Sequence, residues 1–210
     1  MAVTHIIIAF TALFSIWGFS NQDIFYKCMH RPHDEARRGE YYRWLTGGFL
    51  HGDYMHLIFN MFTLYAFGPV VEKWFGVHFG MTGPLFFVIF YLISIVAASL
   101  ATYFKFKDSP GFASVGASGA VSAVLFAAVL LHPTMGLYLM FIPIPIPGFI
   151  FAGLYLWYSS YAARRGNDGI DHTAHFYGAV FGFIFPMVFD PFLLMDFVAQ
   201  LALWFSMQFS

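Results

Sequence analysis

The chain has 210 residues, 60% of them hydrophobic, 22% aromatic and only 10% charged, with a mean hydropathy of +0.69. A composition this apolar excludes an ordinary soluble domain and puts the chain in a bilayer. The net charge of -1 leaves no basic footprint for a nucleic-acid partner, and the single cysteine, Cys28, excludes an internal disulfide framework and a thiolate metal site.

A helix that crosses the hydrocarbon needs about 20 mostly apolar residues, because its backbone polar groups must bond within the segment where no water is available. Six stretches come close. The first covers about 2–20; it lacks the basic start and the cleavage site of a secretory signal and reads as a span. Residues 21–52 form one large loop holding five of the ten basic side chains, Lys27, Arg31, Arg37, Arg38 and Arg43. Its many aromatic residues predict an ordered loop that dips partly into the membrane. Spans over 54–71 and 82–104 follow.

From Ser109 to Ala163 there is no Asp, Glu, Lys or Arg. His132-Pro133 and the alternating Pro143, Pro145 and Pro147 break this stretch, predicting spans over 115–131 and 147–163 with a loop between them. The sixth span covers 171–189 and is closed by Asp190-Pro191. Beyond it, 191–210 is apolar but carries Asp196, Gln200 and Gln208, as in an interfacial tail or part of a further helix. The predicted fold class is an all-α polytopic membrane protein, a six-helix bundle with a large first loop, as one domain over 1–190 followed by the tail 191–210.

Polar side chains within a bilayer are costly and are functional candidates by default. In the second span His56 and Asn60 are four residues apart, on one helix face. The fourth opens on Gly116-Ala117-Ser118-Gly119-Ala120, which alone also fits a helix cap or a packing device. The sixth carries His175, Gly178 and Gly182, a small-residue stripe that lets another helix approach closely. If its neighbour is the fourth span, also rich in small residues, Ser118 comes within reach of His175. The set then holds a nucleophile, a base that takes its proton at neutral pH, and donors for an oxyanion: Ser118, His175, and the pair His56 and Asn60. There is no His-Glu-x-x-His zinc motif and no pair of membrane aspartates. His51, His56, His172 and His175 have no carboxylate or thiol at a plausible ligand position, so neither a metal nor another cofactor is expected.

His51-x4-His56-x3-Asn60, Gly116-x-Ser118-Gly119 and His175-x2-Gly178-x3-Gly182, in this order on the second, fourth and sixth spans, resemble the rhomboid intramembrane proteases over roughly residues 40–190. The resemblance implies a six-helix core and a serine endopeptidase that cleaves transmembrane segments of other membrane proteins by a Ser-His dyad without an orienting aspartate. On it, Ser118 is the nucleophile and His175 the base. His56, Asn60 and the Ser118 backbone N–H stabilise the oxyanion, and His51, Gly116, Gly119, Gly178, Gly182 and Arg43 support the site. Glu72 resembles a structural helix-end residue. Two positions depart from the pattern: many rhomboids have an aromatic residue, packed on the histidine ring, where this chain has Ser122, and His172 puts a second imidazole three residues before the base.

A catalytically silent rhomboid-like protein that binds membrane clients is the alternative; a small transporter fits less well, since inverted repeats and intramembrane carboxylates are missing. The partners implied are transmembrane substrates and lipid. Nine of the ten basic residues fall in the loops after the first, third and fifth spans, which by charge alone places the large loop in the cytoplasm. The resemblance implies the opposite: a bacterial inner membrane, with the active site opening to the extracytoplasmic side.

Overall fold

The computed structural model describes residues 2–139, 142–165 and 168–208. The first helix, α1, covers Val3–Ser20. Its buried residues, Thr4, Ile7, Thr11, Ser15 and Gly18, recur every three or four positions and are mostly small. The large apolar Phe10, Leu13, Ile16 and Trp17 point outward. That inverts the pattern of a soluble helix. Lipid is as apolar as leucine, so nothing drives the large side chains inward, and small residues are used where backbones must approach.

The large loop is mostly helical: α2 (Gln22–Cys28), α3 (Pro32–Arg38) and α4 (Arg43–Thr46). Two buried charges hold it. The Arg43 guanidinium donates to Glu40 at 2.7 Å and to the Tyr26 and Met29 carbonyls at 2.8 and 3.0 Å. The fully buried Glu35 accepts from the Arg31 backbone N–H at 2.8 Å and from the Trp44 indole at 2.9 Å, and lies 2.7 Å from His30 Nδ1. With Arg43 and Glu35 each bonded on several sides, burying these charges is tolerable.

The long α5 (Tyr54–Phe79) and α6 (Gly83–Phe106) follow. Asp53 caps α5 by accepting from the His56 N–H at 2.8 Å. As one rod these residues would reach roughly 80 Å, but the turn at Gly80, where φ is 56°, folds them into a hairpin with Phe79 stacked on Phe86 at 3.9 Å. The second helix therefore runs two turns past its expected end at 71, and Pro69 lies within it. Glu72, near that end, caps a different helix: its carboxylate accepts from the Val3 and Thr4 N–H groups at 2.7 and 2.9 Å and from the Thr4 hydroxyl at 2.6 Å. It satisfies orphan donors at the positive end of α1.

At the centre is α7 (Ser118–Leu131), buried at every position from Gly119 to Leu130. It packs on α5, α6 and on α9. The expected loop after it is in part a β-hairpin, β1 (Gly136–Leu139) against β2 (Ile142–Pro147), antiparallel, with Gly136 opposite Pro147 and Leu137 opposite Ile146. The prolines have no N–H and so oppose a regular helix there, while the residues between them can still pair, as Ile146 does with Leu137. Then come α8 (Gly148–Arg165), α9 (His172–Ile184), a short 3₁₀ turn at Phe185–Val188 and α10 (Leu193–Gln208).

The tail is thus helical and bent by 109° from the preceding helix. It is tied back by Gln200 donating to the Leu131 carbonyl at 3.3 Å and by Trp204 against Phe149. Residues 209–210 of the tail lie outside the described residues. By length and apolarity alone, Val3–Ser20 and the run Tyr54–Phe106 suffice to cross a membrane.

Candidate active site

The site forms where α7 and α9 touch backbone to backbone. A Cβ added at Gly178 would collide with the Gly119 carbonyl, and one added at Gly182 with the Ala123 carbonyl. Gly119 is itself pressed against Ala98 of α6 and Ala174 of α9. With the helices this close, His175 Nε2 lies 2.8 Å from Ser118 Oγ. In the tautomer protonated on Nδ1, the serine hydroxyl donates to Nε2, the arrangement general-base activation requires.

The start of α9 is held in register by Asp171. Its carboxylate accepts from the Ala174 N–H at 2.9 Å, from the Thr102 hydroxyl of α6 at 2.8 Å and from the Ser114 hydroxyl at 3.0 Å. One residue thus caps the helix, fixes its rotation against α6 and ties it to the strand of chain leading into Ser118. Nearby, Lys105 donates to the Ala163 carbonyl at 2.6 Å and to the Thr173 hydroxyl at 2.9 Å, joining the ends of α6, α8 and α9.

That leading segment is also strapped to the large loop. His30 and Ser114 exchange both backbone bonds, at 3.0 and 2.9 Å, and the Gly116 N–H donates to the Gly47 carbonyl at 3.0 Å. Gly116 has a φ of 136°, a conformation other residues rarely adopt. A Cβ there would lie 2.6 Å from the His56 ring and 3.5 Å from Ser118 Oγ, so its absence makes room for the imidazole beside Ser118.

His56, Asn60, Ser118 and His175 line one cavity of about 650 Å³, together with Ser122, Tyr155, Asp168 and Asp171. Asn60 gives one amide N–H to the His56 carbonyl at 2.9 Å, and the amide has a second to offer. His51 is placed differently: fully buried behind the site, its Nδ1 is 2.8 Å from Ser15 Oγ and its Nε2 accepts from the Ala117 N–H at 3.5 Å. Since Ser15 donates onward to the Phe49 carbonyl at 2.7 Å, the bonds are all satisfied by a neutral ring protonated on Nδ1. His51 braces α1 against the start of α7. Arg43 lies in the loop, away from the cavity lining.

Two positions that depart from the resemblance find their explanation here. His172 Nε2 bonds to Asp168 at 2.8 Å, and its ring meets that of His175 edge-on at 5.7 Å, while Ser118 bonds to His175. The bond from His172, with that from the Ile170 N–H, holds the Asp168 carboxyl below its ordinary pKa. At Ser122 the missing aromatic ring is supplied from another helix: Ser122 Oγ bonds to the hydroxyl of Tyr155 on α8 at 2.5 Å, and the Tyr155 ring lies 6.3 Å from that of His175 at an angle of 31°. Tyr155 and Asp171 escaped the sequence reading. Asp171 carries a readable signal, a capping carboxylate just ahead of an apolar helix. Tyr155 is one of six aromatic residues between Phe149 and Tyr161, and spacing singles out none of them.

Residues 38–192 match the Rhomboid domain. The chain is 31% identical over 185 residues to the RHOMBOID-like protein 12, mitochondrial, of Arabidopsis thaliana, an alignment covering 84% of this chain and 55% of that protein. It is 26% identical over 174 residues to the rhomboid protease GlpG of Haemophilus influenzae, covering 81% and 80% of the two chains. With the rhomboid protease GluP of Bacillus subtilis it shares 31% over 154 residues, 70% of this chain and 25% of that one. The chain thus spans about half the length of the plant relative and a quarter of GluP. With the matched stretch enclosing His56, Asn60, Ser118 and His175, this helical integral membrane protein belongs to the rhomboid family.

Proposed function

We propose that the chain is an intramembrane serine endopeptidase that cuts transmembrane segments of other membrane proteins with Ser118 as nucleophile and His175 as base. The observation carrying this reading is the 2.8 Å contact between Ser118 Oγ and His175 Nε2 at a cavity that His56 and Asn60 also line. In the reaction, His175 takes the hydroxyl proton as Ser118 Oγ attacks the scissile carbonyl carbon. The oxyanion that forms is met by the Ser118 backbone N–H, His56 and the second N–H of Asn60. Collapse expels the amine, which receives the proton from His175. Water, deprotonated by the same imidazole, then attacks the acyl carbon, and the ester bond breaks as the imidazolium returns that proton to Ser118 Oγ. His51, Gly116, Gly119, Gly178, Gly182 and Arg43 hold the frame in which this occurs.

The membrane arrangement that goes with this reading has six spans within residues 1–190, namely α1, α5, α6, α7, α8 and α9, with the tail 191–210 outside the core. The length of α7 bears on how water reaches the site. Its 14 residues make a helix of roughly 21 Å, shorter than a hydrocarbon layer of roughly 30 Å, so one end stops inside the membrane and water can stand above Ser118. We place the protein in a bacterial inner membrane with the cavity and large loop on the extracytoplasmic side. A fluorescent protein fused after residue 210 is then fluorescent in the cytoplasm, whereas phosphatase activity from a periplasm-dependent reporter at that position overturns the orientation.

The activity is tested on a panel of single-span substrates in vesicles. Wild-type protein cleaves and is labelled by a fluorophosphonate, and Ser118→Ala does neither. Cleavage that survives Ser118→Ala sinks the reading, and a wild-type protein that binds the substrates without cutting them supports the silent client-binding alternative instead.

A further inference from the structure

Resting on the Ser118–His175 reading, the inference concerns what holds the base. Among the described residues, the only side-chain hydrogen bond of His175 is the one to Ser118. No carboxylate bonds its Nδ1. A ring with a single bonding partner can rotate unless packing stops it, and a small misplacement of a reacting group lowers the rate steeply.

Two rings stand beside it, that of His172 edge-on and that of Tyr155 tilted by 31° at 6.3 Å, within the range of favourable aromatic contact. Tyr155 is the better anchored of the two. Its hydroxyl meets Ser122 Oγ at 2.5 Å, and its ring is flanked by Phe126 at 5.5 Å and Phe151 at 5.8 Å. Among the described residues Ser122 is the side chain that bonds this hydroxyl, so it sets where the ring stands. Ser122 lies one turn after Ser118, so nucleophile and anchor share α7, while the ring comes from α8.

We propose that Tyr155 is a positioning residue: hung by its hydroxyl from Ser122, its ring keeps the His175 imidazole aimed at Ser118, so that proton transfer depends on α8 being seated against α7. Bundle packing alone would explain the ring's place between Phe126 and Phe151, but not its contact with the base or a hydroxyl fastened one turn from the nucleophile.

The test uses the full chain in vesicles with a single-span substrate, measuring kcat, KM, the rate of fluorophosphonate labelling and the thermal midpoint. Tyr155→Leu, which removes the ring, lowers kcat and the labelling rate by about thirtyfold with KM within about threefold of wild type. Tyr155→Phe and Ser122→Ala, which each break the one hydroxyl bond, lower kcat by about three- to tenfold, and the double variant is no slower than the slower single, because both changes remove the same interaction. A folded Tyr155→Leu protein with unchanged kcat and labelling overturns the proposal, as does a loss confined to KM, which assigns Tyr155 to substrate binding. Should Tyr155→Leu lower the thermal midpoint, the Ser122 and Tyr155 cycle decides alone, and losses that simply multiply overturn it. The parent reading fails by a different result, cleavage by Ser118→Ala.

Discussion

Gly178 of α9 lies so close to the Gly119 carbonyl of α7 that one added methyl group would collide with it. That approach is what turns two unremarkable helices into a site, because Ser118 adjoins Gly119 and His175 lies one turn before Gly178.

Gly178→Ala is therefore expected to pry α7 and α9 apart. Overpacking of this kind destabilises by roughly 1–3 kcal/mol, and a shift of about 1 Å between reacting groups lowers the rate about a hundredfold. Thermal melts and cleavage rates measured on one preparation check both figures. A Gly178→Ala protein with wild-type activity would show that the seam has slack the geometry does not suggest.

His175→Ala should abolish cleavage and fluorophosphonate labelling, since it removes the imidazole bonded to Ser118. His172→Ala removes a neighbour that bonds to Asp168, so cleavage should stay within about tenfold of wild type. Equal loss in the two variants would reopen which histidine is the base.

Asp171→Ala takes away a helix cap and the bonds from Thr102 and Ser114 together. Loss of the cap alone destabilises by about 1 kcal/mol, and the freed rotation of α9 should lower kcat more than it raises KM. Asp171→Asn, which keeps an acceptor for the cap, should recover most of the stability. If Asn is no better than Ala in thermal melts, the cap is not what holds α9.

Glu72→Ala is the contrasting case. It leaves the Val3 and Thr4 donors at the start of α1 without their carboxylate and should cost about 1–2 kcal/mol. Cleavage per folded molecule should stay near wild type, because Glu72 does not line the cavity. A kcat that falls as far as the stability would place α1 in the catalytic frame.

The apolar helices and the polar candidates on them were legible because both signals are local. A run of apolar residues without charge names a membrane helix wherever it lies, and a period of three or four puts His56 above Asn60 and His175 above Gly178. The prolines at 143, 145 and 147 announced the end of a helix, but not the hairpin they enter, since pairing with Gly136 and Leu137 is not written in either strand alone. The end of α5 was misjudged because Glu72 looked like a terminus, when its charge is satisfied by the N-terminus of a helix 68 and 69 positions away in sequence.

By itself the sequence determined the membrane class of this protein, the helices that carry its polar residues, and the pairing expected between Ser118 and His175. Small residues mark where backbones can meet, and that mark survives in one dimension. What only the tertiary structure decided is which side chains surround His175 and Ser118: Asp171 reaching to Thr102, His51 bracing Ser15 and Ala117, and Tyr155 crossing from α8 to Ser122. Each of these contacts joins elements whose distance in sequence says nothing of their distance in space, and in an aromatic-rich bundle only packing selects which ring stands beside His175.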